Sequence, residues 1–153
     1  MNRTATINPR IVEGLYCEAL VLSDEVRAAF DLPGRAEDMA LAEDEARVAL
    51  SCEALRTTTR MMHAVAWLLN HRAYFAGELS EFQLLRHGRL APFPSAETDR
   101  LALLTPQVQA LIGATERLHE RLMRIDMGWR ERDTVLVGPV RRLREELGRA
   151  LAG

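Results

Sequence analysis

Hydrophobic side chains recur every three or four residues along most of the chain, which is the spacing of a buried helix face. Near the N-terminus such a stripe follows Asn8 and Pro9, residue types suited to the N-cap and the first position of a helix. The stripe consists of Val12, Leu15, Ala19, Leu22, Val26 and Ala29. The pattern predicts a first helix that ends near Phe30, before a turn at Pro33–Gly34.

The second helix is expected to be the longest apolar element. No glycine or proline occurs between about Asp38 and Phe75, and good helix formers dominate, so we expect more than 30 helical residues. Its buried stripe is expected to contain Val48, Cys52, Leu55 and Met62. The stretch 61–69 is apolar nearly all round and must be covered on every side, either at the centre of its own bundle or by a second copy of the chain.

Capping residues define the remaining elements. Gly77 is expected to end the second helix, and Ser80 with Gln83 predicts a capping box for a short helix that closes before Gly88. One further helical turn is expected within 96–103. Thr105 and Pro106 predict the start of a third long helix.

The third helix carries the clearest periodic stripe of the chain. It consists of Val108, Leu111, Thr115, Leu118, Leu122, Ile125 and Trp129. A run at 134–137 could pass for a strand, but it has nothing to pair with. After Gly138–Pro139 an arginine-rich segment, 140–151, predicts a short separate helix. We therefore predict an all-α fold, an antiparallel up-down-up three-helix bundle with short accessory helices over 1–130, followed by an arginine-rich tail over 131–153.

Length and composition indicate one globular domain. The 153 residues are 48% hydrophobic, with a net charge of −2. Residues 1–53 have a net charge of −6 and residues 54–153 a net charge of +4. Two electrostatic faces would suit a charged protein partner, although scattered surface charges give the same tally. The sequence has no signal-like apolar core and no apolar run of membrane-spanning length, so we expect a cytoplasmic protein without membrane contact.

Residue types for catalysis are sparse. All 20 basic residues are arginines, which excludes a P-loop lysine and a Schiff-base lysine. Cys17 and Cys52 are solitary, so we expect them to be small buried apolar groups in a reducing compartment and predict no disulfide. Among the four histidines only His119 follows a glutamate, Glu116, at the spacing of a di-metal bundle site, which would need this motif twice. We expect no enzyme, no metal and no cofactor.

The middle helix instead carries residues typical of protein interfaces. Arginine, tryptophan and tyrosine dominate interface hot spots. The expected contact residues are Arg56, Arg60, His63, Trp67, His71, Arg72, Tyr74 and Glu78. The alternative is that Trp67 belongs to the core and that the arginines are exposed without a partner.

A family resemblance supports the interface interpretation. The segments Glu53–Met62, Trp67–Ala73 and Gly77–Glu78, together with the turn Pro33–Glu37, resemble the regulator of CtrA degradation family of alphaproteobacteria. The likeness covers about residues 10–127. His63 and His71 stand where the family pattern leads us to expect glutamine.

The resemblance implies a dimeric proteolytic adaptor without catalysis of its own. Such a protein would help deliver the response regulator CtrA, or a similar client, to the protease ClpXP together with its priming factors. The alternative from the residues is a DNA-associated regulator that uses arginine-rich helix faces, although interleaved glutamates favour an ion-paired surface and make nucleic acid the weaker expectation.

Overall fold

The computed structural model describes residues 7–31 and 43–151, and for residues 133–142, 144 and 145 it describes the backbone alone. Every regular element in this part of the chain is helical. The helices are α1 (Pro9–Ala29), α2 (Asp44–Phe75), α3 (Glu81–His87), α4 (Thr98–Leu101) and α5 (Pro106–Leu151). The prediction of an all-α protein is thus confirmed for the described residues. The second helix was expected to run without a break from about Asp38, but α2 begins at Asp44, because the backbone of Glu43 is extended (φ −62°, ψ 151°). The predicted turn at Pro33–Gly34 lies outside the described residues.

Side chains cap the helices where the sequence predicts. The Asn8 side chain accepts a hydrogen bond from the amide of Ile11 at 3.0 Å. Ser80 and Gln83 form a reciprocal capping box. These bonds satisfy amide groups that the first turn of a helix leaves without partners. At the end of α2, Gly77 takes a positive φ of 79°, a conformation that costs a glycine little.

Three long helices share the core. Each of α1, α2 and α5 contacts the other two, and the predicted stripe of α1 is buried from Val12 to Val26. Arg72 near the end of α2 pairs with Glu13 near the start of α1, so α1 and α2 run in opposite directions.

The directions of α2 and α5 correct the predicted topology. Arg60 of α2 forms a hydrogen bond with Thr115 of α5. Further towards the C-terminus of both helices, Trp67 of α2 forms a hydrogen bond with Asp126 of α5. Residue numbers therefore rise together, and α2 and α5 run parallel. The prediction of an antiparallel up-down-up arrangement is wrong for this pair, because the connection 76–105, with α3 and α4, brings the chain back to the end at which α2 began.

The C-terminal part of α5 also differs from expectation. A single helix continues from Pro106 to Leu151, where a break at Gly138–Pro139 and a separate tail helix were expected. A proline usually ends or kinks a helix because its nitrogen cannot donate the backbone hydrogen bond, and the expectation of a break rested on that rule; the expectation is wrong for this helix.

Candidate interaction surface

The buried face of α2 contains charged and polar side chains among the apolar ones. Its buried positions follow helical spacing and include Glu53, Thr57, Arg60, Ala64, Trp67 and His71. The stripe predicted to be buried points outward instead: Val48 is 61% exposed, Leu55 70% and Met62 65%. The expectation that these three residues belong to the core is therefore wrong. So is the expected burial of the cysteines, since Cys17 is exposed and Cys52 is only half-buried. The polar side chains that α2 buries need hydrogen-bond partners inside the protein. They are Glu53, Thr57, Arg60 and His71.

Arg60 is held inside the protein by groups from two other segments. Its guanidinium donates to Thr115 Oγ1 at 3.0 Å and to the carbonyl of Pro94 at 3.4 Å. The carboxylate of Glu116 lies 3.5 Å away, and the Phe93 ring lies 5.1 Å below the guanidinium. Burial lowers the pKa of Arg60, and Glu116 opposes that shift. The partners lie on α5 and on the loop before α4, so Arg60 fastens that loop to the core.

Arg56 strengthens the attachment of the same loop. Its guanidinium donates to the carbonyls of Ser95 at 2.8 Å and Pro94 at 3.3 Å. From the opposite side Glu116 accepts a hydrogen bond from the amide of Ala96 at 2.8 Å. Charged side chains of α2 and α5 thus bind consecutive backbone groups of the loop, which replaces the hydrogen bonds that irregular backbone would otherwise lack.

A second buried network centres on Asp126. Its carboxylate accepts hydrogen bonds from the Trp67 indole at 3.0 Å and the Leu90 amide at 3.3 Å. Arg130 donates to the same carboxylate at 3.2 Å and to the carbonyl of Leu85 at 2.8 Å. A buried charge is tolerated when it is paired and hydrogen-bonded in this way.

Two histidines are enclosed in the same region. The Nδ1–H of His71 donates to the Trp67 carbonyl at 2.9 Å, and the two rings lie 3.8 Å apart. His119 lies beside Phe93 and is also buried. Burial lowers the pKa of both histidines, and the charge of Arg60 lowers that of His119 further. Both rings are therefore neutral near pH 7.

The expected interaction residues divide into two groups. Arg60, Trp67 and His71 are buried, so they cannot form the exposed strip that the sequence predicts. Of the alternative, the placing of Trp67 in the core is confirmed, whereas the expectation of exposed arginines without a partner is wrong for Arg60. Arg56 is half-buried against the loop. The others lie nearer the surface: His63 and Glu78 are exposed, and Arg72 and Tyr74 are half-buried. An interaction role for the surface residues stays a prediction.

Arg72 and Tyr74 have structural partners of their own. The Arg72 guanidinium lies 4.2 Å above the Tyr16 ring and bonds Glu13 at 2.9 Å, which joins α2 to α1. Tyr74 lines a cavity of about 410 Å³ together with Trp129 and Arg124.

Sequence reasoning did not single out Glu53 or Asp126. Glu53 is fully buried, with Arg56 and Arg100 each 3.9 Å from its carboxylate. The signal was present in the spacing: Glu53, Thr57 and Arg60 recur at steps of four and three, in phase with Trp67. When a helix carries a polar stripe and an apolar stripe with the same spacing, either face can be the one that packs against the other helices.

The outward face of α2 exposes a row of large apolar side chains. We call Val48, Leu55, Met62 and Leu69 the outer stripe; they are spaced by seven residues and all are exposed. Beside its C-terminal half runs a groove of about 960 Å³, walled by Val26 of α1, by Phe30 directly after α1, and by α2 residues from Thr58 to Leu69. Large exposed apolar surfaces of this kind mark interaction sites in soluble proteins.

Between Val48 and Leu69 the exposed positions of α2 carry no carboxylate and no guanidinium. They are Val48, Ser51, Leu55, Thr58, Met62, His63, Ala66 and Leu69. A helix face in contact with water normally carries charged side chains. This face has instead the composition of an interface core, which is depleted of charge.

Two further observations concern chemistry and membranes. Within 7–31 and 43–151 no group of three or more histidine, cysteine, aspartate or glutamate side chains is arranged to hold a metal ion. None of the described helices is both long enough and apolar enough to cross a bilayer.

Comparison with known proteins identifies the family. The pattern of the family described as "Protein of unknown function (DUF1465)" matches residues 3–151, and the chain belongs to this family. No curated protein and no solved structure matches it.

Proposed function

We propose that this member of the DUF1465 family is a non-enzymatic adaptor that helps deliver CtrA-like cell-cycle regulators to the protease ClpXP. It acts as a homodimer of three-helix bundles, in the cytoplasm, together with the protease's priming factors. The observation that carries the proposal is the uncharged, exposed face of α2, which has the composition of an interface core. The resemblance of residues 53–78 to the regulator of CtrA degradation family supplies the kind of partner.

The disposition of the polar residues supports binding over catalysis. Arg60, Trp67 and Asp126 hold one another, or the loop before α4, through intramolecular hydrogen bonds. A catalytic group must keep an atom available for substrate, and these atoms are occupied. The described surface has two regions that a partner can bind. One is the outer stripe, and the other is a charged surface on the opposite side of the protein.

That opposite side lies on α1 and α5. Glu18 and Arg121 form an exposed ion pair there at 2.8 Å, and Arg117, Glu120 and Arg124 are exposed nearby. An adaptor needs two separate contact surfaces, so that a client held on one is present at high effective concentration for a protease held through the other. An apolar face and a charged face on different helices meet this requirement.

Reconstituted degradation tests the proposal. Purified CtrA is incubated with ClpXP, its priming factors and ATP, with and without this protein. We expect the protein to accelerate CtrA turnover by about tenfold or more, as tethering does. A substrate that ClpXP degrades unaided serves as control and should be degraded at an unchanged rate. If CtrA and the other clients tested turn over equally fast with and without the protein, the adaptor function is wrong.

A further inference from the structure

The outer stripe of α2 has the geometry of a helix-pairing seam. Its four members recur every seven residues, the period with which a helix presents one line of side chains to a partner helix. Val48 and Leu69 are separated by 21 residue steps, which is about 32 Å at about 1.5 Å per residue. Its members are 45–70% exposed, so α1 and α5 leave this seam uncovered.

We propose that the outer stripe is the dimer interface, and that it binds the outer stripe of a second copy in antiparallel orientation. This inference rests on the homodimer of the proposed function and assigns its surface and geometry. A two-fold axis near Thr58 places Leu55 against Met62 of the second copy and Val48 against Leu69 of the second copy. Each member of the stripe then has one partner, and both copies contribute the same contacts, as a two-fold interface requires.

The absence of charge makes a second copy the fitting occupant. A two-fold interface brings identical surfaces together, so a charged residue near the axis would meet its own copy and be repelled. The exposed positions from Val48 to Leu69 contain no carboxylate or guanidinium, and nothing on this face opposes self-association. It also lacks the charged side chains that would select a partner of opposite charge.

Charge at the ends of α2 favours the antiparallel orientation. Asp44 and Glu45 are exposed at the start of the helix. In a parallel pair these carboxylates would meet those of the second copy. In the antiparallel pair the carboxylates of one copy lie about 40 Å from those of the other, and the two helix dipoles oppose each other favourably.

Shape points the same way. The groove of about 960 Å³ runs beside the half of the stripe that contains Met62 and Leu69. Val48 and Leu55, on the other half, do not line it. An antiparallel pair sets Val48 and Leu55 of each copy over the groove of the other, and beside Val48 lies only a smaller cavity of about 540 Å³. A parallel pair would instead set the two grooves of about 960 Å³ against each other and leave that space unfilled.

Cysteine cross-linking of the full-length protein tests the arrangement. The native thiols are first removed by Cys17→Ser and Cys52→Ser, and the variants are oxidised under mild conditions. Thr58→Cys lies next to the proposed axis, so we expect disulfide-linked dimers. Val48→Cys alone should give none, because the two thiols would lie about 32 Å apart. Combining Val48→Cys and Leu69→Cys copies should restore the link.

Other outcomes overturn the inference. Self-linkage of Val48→Cys and of Leu69→Cys, each alone, would show a parallel pair. A dimer by mass without linkage at Thr58→Cys would place the interface elsewhere. A monomer at all protein concentrations would remove the interface altogether.

A matched pair of substitutions tests the surface without cysteines. Val48 and Val21 are the same residue type and each is 61% exposed, but Val21 lies on α1 outside the stripe. We expect Val48→Arg to weaken the dimer about tenfold or more and Val21→Arg to leave it unchanged. Leu55→Arg, at the centre, should weaken it by about 100-fold or more. Equal effects of Val48→Arg and Val21→Arg would contradict the assignment.

Failure of the inference and failure of the proposed function can be told apart. If CtrA degradation is accelerated but the cross-links do not form, the adaptor function stands and the interface assignment falls. If the cross-links form as expected but no client turns over faster, the dimer stands and the adaptor function falls.

Discussion

The indole Nε1 of Trp67 donates a hydrogen bond to Oδ1 of Asp126 across 3.0 Å, and both side chains are buried between α2 and α5. The bond links two parallel helices at a point where Arg130 and the Leu90 amide also converge on the carboxylate. Trp67 therefore contributes both apolar volume and a donor to the core. A residue that sequence analysis assigned to a partner surface instead joins the helices of its own chain.

Replacing Trp67 separates the two contributions. Trp67→Ala should lower the free energy of unfolding by about 3–5 kcal/mol, because a large buried ring is lost. Trp67→Phe keeps most of the ring but removes the donor to Asp126, which should cost about 1–3 kcal/mol. Urea denaturation measures both. An unchanged midpoint for Trp67→Ala would show that the ring is not in the core.

Arg60→Lys tests the attachment of the loop before α4. An ammonium group cannot reproduce the fork that reaches both Thr115 and Pro94, so we expect a loss of about 1.5–3 kcal/mol in the free energy of unfolding. Amide exchange should accelerate in residues 89–97 and stay unchanged in α1. Arg27→Lys, in an exposed ion pair with Asp24, is the matched control and should have little effect. Uniform acceleration in both regions would argue against a local role of Arg60.

The buried histidines predict a pH dependence of stability. Burial lowers the pKa of His71 and of His119 in the folded state, so below about pH 6.5 the unfolded chain binds more protons than the folded one. The contribution of the two neutral histidines to the free energy of unfolding is therefore complete above that pH. It is lost on acidification, by at most about 1.4 kcal/mol per pH unit for each histidine. Asp126 near His71 and Glu120 near His119 oppose these shifts, and Arg130 and Arg60 reinforce them.

Urea denaturation between pH 7.5 and 5.5 checks this dependence. His71→Gln should reduce the slope of stability against pH, and the double variant with His119→Gln should nearly abolish it. Loss of stability on acidification that is equally steep in the double variant would assign the effect to other groups.

Two glycines should respond to alanine with opposite signs. Gly77 has a φ of 79°, which alanine adopts only at a cost of about 1–2 kcal/mol. Gly14 lies within α1, and a Cβ there would meet nothing within 4 Å. Gly14→Ala should stabilise the protein by about 0.5–1 kcal/mol. Thermal denaturation compares the two variants, and destabilisation by both would contradict the assignment of Gly14 to an open helix face.

Local signals were sufficient to locate most helices, because they act within a few residues. Asn8 with Pro9, Ser80 with Gln83, and Gly77 each satisfy or end one turn of backbone, and the structure places caps and ends there. The continuation of α5 through Pro139 was not predictable in this way, since a proline usually ends a helix.

The burial of α2 could not be predicted because it depends on α5. Two stripes of α2 share the same period, one apolar through Leu55 and Met62, the other polar through Glu53 and Arg60. Hydrophobicity alone selects the apolar one. The structure buries the polar one, since Thr115, Glu116 and Asp126 of α5 supply hydrogen bonds and charge to it. Periodicity in one helix contains no information about the polar groups that a distant helix presents.

The mass of the protein in solution tests the central claim most directly, that the uncharged outer face of α2 binds a second copy. Light scattering during size-exclusion chromatography should give twice the protomer mass of 17.2 kDa for the wild-type chain, and a mass near that of one protomer for a folded Leu55→Arg variant at the same concentration. A wild-type protein that has the mass of a single protomer at every concentration would contradict the claim.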